Sequence, residues 1–290
     1  MLEQVSKLRK MVEQQKPLPK SHVISVSSGK GGVGKTSFAV NFAIALSQRG
    51  KRVLVIDADF GLANIDVMLG VSVAHDLSSV ISGEQDIRDI ILEGHHGVKF
   101  ISGGSGVYDL VTLDEAQVLR LLTQLGRLED IAEIIIFDTG AGISDVVLRL
   151  VRSSNEAFVI TTPEPTAIMD AYALIKTVDR FSEKPNMRLV VNMVSSNKEG
   201  NEMLSGFARV VHKNMEFELD KMGFILSDPN VTQAVKAQVP FMIGYPNSPA
   251  SQNIQTIASK YLDANFRETR KEGLAEFLSR LLKRRAEISG

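Results

Sequence analysis

A lysine and a threonine behind a run of glycines, and three aspartates closing apolar stretches, are the residues of this chain best suited to chemistry. The run reads Ser28-Gly29-Lys30-Gly31-Gly32-Val33-Gly34-Lys35-Thr36-Ser37, and it satisfies the phosphate-loop pattern from Gly29 to Thr36. Glycines let successive backbone N–H groups turn inward onto phosphate oxygens with no Cβ in the way. Gly29, Lys30, Gly31, Gly32, Val33 and Gly34 would form that cradle, with Ser37 just behind it. Lys35 would reach the β- and γ-phosphates, and the Thr36 hydroxyl would ligate Mg²⁺. A helix opening at Thr36 adds the positive end of its dipole to the same phosphates. This is the chemistry of nucleotide binding.

The aspartates extend it. Asp57 and Asp59 follow the apolar Leu54-Val55-Ile56, and Asp138 follows Ile134-Ile135-Ile136-Phe137, the Walker B arrangement. A lone aspartate after a strand often only forms a turn or caps a helix. An Asp-x-Asp pair beside a phosphate loop points to the ligand crevice of a parallel sheet instead. A carboxylate within a hydrogen bond of an in-line water can orient and polarise it for attack on a phosphate. Asp138 would bind Mg²⁺ through water, since that ion keeps much of its hydration shell.

The elements that must position these residues alternate in type. Strand-like runs fall at Val23–Val26, Arg52–Ile56, Val98–Ile101, Ile134–Phe137, Ala157–Thr161, Leu189–Asn192 and Phe224–Leu226. Helical patterns fill the gaps at Thr36–Gln48, Leu113–Leu125, Asp145–Arg152, Ala167–Phe181 and Glu199–Leu219. The expected fold is α/β: a doubly wound, mostly parallel sheet of about seven or eight strands with helices on both faces. The expected division is an extension and linker at 1–20, an ATPase domain at 21–266, and a spacer with a terminal helix at 267–290. The 290 residues suit one large domain, and a net charge of −1 argues against a wholesale nucleic-acid binder. No window approaches the roughly 18 apolar residues of a membrane span. Lys7, Arg9, Lys10 and Lys16 interrupt any signal-peptide core.

Lys30 gives the loop a second lysine, in the form Lys-Gly-Gly-Val-Gly-Lys-Thr, and this resembles the deviant phosphate loops of the MinD/ParA family. The resemblance implies ATP or ADP with Mg²⁺, a homodimer when ATP is bound and a monomer with ADP, and slow, regulatory hydrolysis. It implies that Lys30 reaches across the dimer to the partner's nucleotide and that Asp59 orients the attacking water. Asp57 would hold the metal's water shell, and Asn64 would act near the dimer face. Gly142, in Asp138-Thr139-Gly140-Ala141-Gly142, would give its N–H to the γ-phosphate. Asn192 would read the adenine edge, with Asp228 and Pro229 walling the base; on its own terms Asp228 is equally a helix cap. The chain has no cysteine, which excludes the family's cysteine-dependent members, the cluster-carrying and arsenite-pump ATPases.

The two ends narrow the resemblance. Leu274, Phe277, Leu278, Leu281 and Leu282 make one apolar stripe of a helix, with Arg280, Lys283, Arg284 and Arg285 on or beside the opposite face. It resembles the helix with which MinD-type ATPases bind anionic membrane, implying a protein of the cytoplasm and the inner membrane face. Residues 1–20 carry Leu2, Val5, Leu8 and Val12 at helical spacing with a net charge of +3, then break at Pro17 and Pro19. Such a prefix resembles the flagellar number-and-placement branch of the family, in which it stimulates an FlhF-type GTPase. Flagellar C-ring proteins are further partners implied there, and no nucleic acid is expected. A division-site regulator, a DNA-partitioning ATPase and a phosphate-loop ligase remain open at this point.

Overall fold

The computed structural model describes residues 21–59, 65–104, 114–181, 184–215, 218–265 and 273–283. In chain order the elements are β1 (His22–Ser28), α1 (Lys35–Ser47), β2 (Val53–Ala58), α2 (Ile65–Leu69), α3 (Leu77–Ser82) and β3 (Leu92–Glu93). Next come β4 (Lys99–Ile101), α4 (Glu115–Gly126), β5 (Ile134–Ala141), α5 (Asp145–Ser153), β6 (Glu156–Thr161) and α6 (Pro165–Asp179). They are followed by β7 (Asn186–Val194), α7 (Asn197–Asn214), β8 (Asp220–Leu226), α8 (Pro229–Lys236), α9 (Phe241–Gly244), α10 (Pro249–Asn265) and α11 (Leu274–Lys283). The strands form one eight-stranded sheet in the order β3-β4-β2-β5-β1-β6-β7-β8. Every pairing is parallel except β3 with β4 at the edge. Order reverses on either side of β1, and such a switch point opens a crevice at the carboxyl ends of the strands. The phosphate loop follows β1 directly.

Side chains leave a strand on alternate sides, so the central strands feed two apolar layers. Ile24, Val26, Val53, Val55, Ile134 and Ile136 face a layer shared with α1 and α10, where Phe38, Phe42, Phe158 and Tyr261 pack ring against ring. Val23, Leu54, Ile56, Ile135 and Phe137 face the other, beneath α3, α4 and α11. Burial on both faces explains why these strands read as nearly continuous apolar runs. At the end of the sheet away from the phosphate loop, Arg188 donates from Nε to Glu156 (2.5 Å) and from an Nη to Asp220 (2.7 Å), beside His22. Burial alone would push the Glu156 carboxyl up, but His22 and Arg188 outweigh it and hold it below the ordinary range.

The terminal helix departs from the expectation of a detached tail. Leu274, Phe277 and Leu278 are buried in the same layer as Phe137, and Leu281 packs against that layer. Phe277 stacks on Phe137 with ring centroids 4.9 Å apart and planes 20° apart. The helix lies on α4 and α5. Its apolar stripe therefore faces its own domain, because the groove between those helices supplies the apolar surface that a bilayer would otherwise supply. The side chain of Leu282, together with Arg284, Arg285 and residues 1–20, lies outside the described residues. Among the described residues no helix is long and apolar enough to cross a membrane.

Candidate functional site

The phosphate loop is shaped by what stands around it. Gly32 and Gly34 have φ of 79° and 89°, a left-handed backbone that side chains disfavour. A Cβ on Gly29 would lie 2.1 Å from the backbone of Asp170, so α6 can approach this closely only because position 29 is glycine. Ser28 Oγ donates to the Lys30 carbonyl at 2.7 Å and ties the entry of the loop. Helix α1 then begins at Lys35 with no side-chain cap and no acidic residue in its first turn. Its leading N–H groups remain available to an anion, which is what a phosphate site requires. Lys35 is buried, and Thr36 and Ser37 line the same turn.

The carboxylates converge on it. Asp138, at the end of β5, is buried, and neither of its oxygens has a protein hydrogen-bond partner. Two orphaned acceptors deep in a protein are costly unless something else meets them. Hydrated Mg²⁺ held with the Thr36 hydroxyl fits that donor set. Burial pushes the Asp138 carboxyl up to about 7; Lys35 and Thr36 pull it down, and Asp57 and Asp59 push it further up. Asp57 is also buried, and it bridges the ends of the following loop: Oδ1 accepts from Asp59 N (3.0 Å) and Oδ2 from Ile65 N (3.3 Å). It thereby orders the loop that carries Asp59, a task the sequence did not announce. Asp59 in turn points at the loop after β5, since a Cβ on Gly140 would lie 3.5 Å from its Oδ1. Asn64 lies outside the described residues.

The raised Asp138 value has a pH consequence with a definite sign. Between the ordinary 3.8 and about 7, the folded chain keeps a proton that the unfolded chain has released. Stability from this group is thus full below about pH 4 and lost as pH rises toward 7. Mg²⁺–nucleotide binding needs the carboxylate and runs the other way. Affinity should rise by up to about tenfold per pH unit below 7 and level off above it. Nucleotide titrations from pH 5.5 to 8.5 check this, and Asp138→Asn should flatten the profile.

Four expected ligands are engaged within the fold. Lys30 is held by its own chain: Nζ donates to Glu164 Oε1 (2.5 Å) and Thr166 Oγ1 (2.9 Å), at the start of α6. Gly142, with φ of 93°, donates its N–H to the Ser28 carbonyl at 2.9 Å. Asn192 Nδ2 donates to the Val33 carbonyl at 2.8 Å, turned under the phosphate loop. Asp228 acts as a cap: Oδ1 accepts from Asn230 N (2.9 Å) at α8, where Pro229 is the first residue, and Oδ2 from Ala250 N (3.2 Å) at α10. The base-wall role expected of Asp228 and Pro229 therefore gives way to joining two helices. Sequence reasoning missed Glu164 and Thr166. Their signal was present, an acidic residue and a hydroxyl flanking Pro165, but it reads equally as an ordinary helix start.

Comparison with known proteins fits this geometry. The ParA family, described as "NUBPL iron-transfer P-loop NTPase", matches residues 20–262. The iron-transfer part of that description finds no thiolate here, since the chain has no cysteine. The antiactivator FleN of Pseudomonas aeruginosa is 38% identical over 82% of this chain and 85% of its own length. The flagellum site-determining protein YlxH of Helicobacter pylori is 36% identical over 90% of this chain and 89% of its own. The septum site-determining protein MinD of Pyrococcus horikoshii, solved as a complex with Mg-ADP, superposes with a TM-score of 0.68 at 23% identity, covering 87% of this chain and 99% of that one.

Proposed function

Because the chain belongs to the ParA/MinD family of phosphate-loop NTPases, we propose that it is an ATP-driven dimerisation switch serving flagellar number and placement. The observation that carries this reading is the meeting of the phosphate loop, the Asp59 loop and the loop after Asp138 at one crevice, with Lys30 beside it. ATP is the substrate. Lys35 and the uncapped start of α1 bind its phosphates, and Asp59 orients the attacking water. Mg²⁺, held by Thr36 and through water by Asp138 with Asp57 nearby, supplies charge neutralisation at the β- and γ-phosphates. Hydrolysis is slow, since the chemistry serves as a timer.

The switch lies in exchanged bonds. With ATP, the Gly142 N–H leaves the Ser28 carbonyl for the γ-phosphate, and α5, which begins just beyond, shifts with it. Helix α11 lies on α5 and on Phe137, the residue before Asp138, so the same movement loosens the docked tail. Lys30 leaves Glu164 for the partner's nucleotide. Two freed tails per dimer then bind anionic membrane where one would bind marginally. Residues 1–20 serve as the contact for an FlhF-type GTPase, and the protein works at the inner face of the cell membrane.

Light scattering with ATP and with ADP tests the dimer. The wild type should double in mass with ATP only. Lys30→Ala should bind ATP yet remain a monomer, and Glu164→Gln should dimerise at a severalfold lower protein concentration, since the Lys30–Glu164 pair is exposed and weak. An ATP dimer of Lys30→Ala as tight as the wild type would remove the cross-subunit role.

A further inference from the structure

We infer that Asn192 is a positioning residue for the phosphate loop: its amide, placed by the end of β7, braces the backbone at Val33–Gly34, so that losing it weakens every phosphate-bearing ligand alike. Both ends of the amide are engaged. Nδ2 donates to the Val33 carbonyl at 2.8 Å, and Oδ1 accepts from the Met193 backbone N–H at 2.9 Å. Flipping the amide would set oxygen against a carbonyl and NH₂ against an N–H, so these partners fix its orientation.

The loop is built around this contact. A Cβ on Gly34 would lie 2.4 Å from Asn192 Nδ2, so the amide occupies the space a side chain at 34 would need. Gly34 is the residue whose left-handed turn delivers the chain into α1, and bracing it aims the first N–H groups of that helix. The brace is itself held rigid. Met193 takes φ of 60°, an uncommon value for a residue with a side chain, and its N–H is anchored by Asn192 Oδ1. A strained backbone kept in place by its neighbour's side chain suits a strut better than a probe that must meet a variable base.

The inference rests on the loop being a nucleotide site, and its test separates the two claims. A fluorescent ATP analogue bound to the full chain is displaced by ATP, by GTP and by Mg²⁺–tripolyphosphate, which carries no base. Asn192→Ala should weaken all three by a similar factor of about ten, the worth of one ordinary hydrogen bond. Asn192→Asp, nearly identical in shape, sets a carboxylate against the Val33 carbonyl and should lose more than alanine does. Melting temperatures close to wild type in either variant keep the comparison one of folded proteins. Loss confined to ATP, with GTP and tripolyphosphate unchanged, would make Asn192 a base reader and overturn the inference, as would undiminished affinity for all three. In both cases the nucleotide site itself stands. A wild-type chain that fails to take up the analogue overturns both claims together.

Discussion

Asp59→Ala stops ATP turnover and leaves ATP bound. The carboxylate sits between the two loops that must close on the γ-phosphate: Asp57 holds its backbone N–H from one side, and Gly140 faces its Oδ1 from the other. It touches none of the groups that form the phosphate cradle, so deleting it removes water orientation without disturbing Lys35 or the start of α1. A positioned base is worth about 10²–10⁴ in rate, and the loss should fall in that range. Phosphate release measured beside nucleotide retention separates the two effects. The trapped ATP should hold the dimer together, so scattering stays high long after the wild type has decayed. Turnover of Asp59→Ala at the wild-type rate would sink the assignment. Loss of ATP binding would move Asp59 from chemistry to the cradle.

Deleting residues 273–290 abolishes membrane binding, and Phe277→Glu does the same within the full chain. The wild type should sediment with anionic vesicles in ATP, less in ADP, and less again as salt rises, because each basic residue near the surface adds only about 1 kcal/mol. The docked helix gives this experiment a second arm. Phe277 is buried on Phe137, so the stripe cannot meet lipid and its own domain at once. Phe137→Leu removes the ring stack but leaves the stripe intact, and it should raise vesicle binding in ADP toward the level seen in ATP. A role confined to the core predicts the opposite, with no vesicle binding in any nucleotide and only a lowered melting temperature for both aromatic variants. Retention on DNA in place of vesicles would favour a partitioning ATPase.

Much of the site was legible because its requirements are local. The left-handed turns at Gly32 and Gly34 demand glycine wherever they occur, and an aspartate ending an apolar strand announces a crevice. The fold class was legible for a similar reason, since β1, β2, β5, β6 and β7 are buried on both faces and so are apolar throughout. What escaped depends on distance along the chain. Lys30 meets Glu164 across 134 positions and Asn192 meets Val33 across 159, contacts that no spacing rule reaches. Helix α10 was missed for another reason. Its core positions Ala250, Ile254, Ile257, Ala258 and Tyr261 do keep helical spacing, but alanine and the intervening serines and glutamines dilute the pattern. Strand β3 has two residues, too short to show any period. The terminal stripe was read correctly as a stripe, and only the structure could say what it faces.

The backbone hydrogen of Gly142 has two claimants and can serve one. While Ser28 holds it, a γ-phosphate must outbid a bond already made, so ATP gains only the difference between two similar contacts. One such exchange is worth about 1 kcal/mol, whereas carrying an equilibrium from 1:99 to 99:1 takes about 5.5 kcal/mol. Nucleotide alone therefore cannot throw the lever. The remainder must come from the second protomer, through Lys30 and the buried dimer face, which makes the chain a coincidence detector: it registers ATP and crowding of its own kind together, and is nearly deaf to either alone.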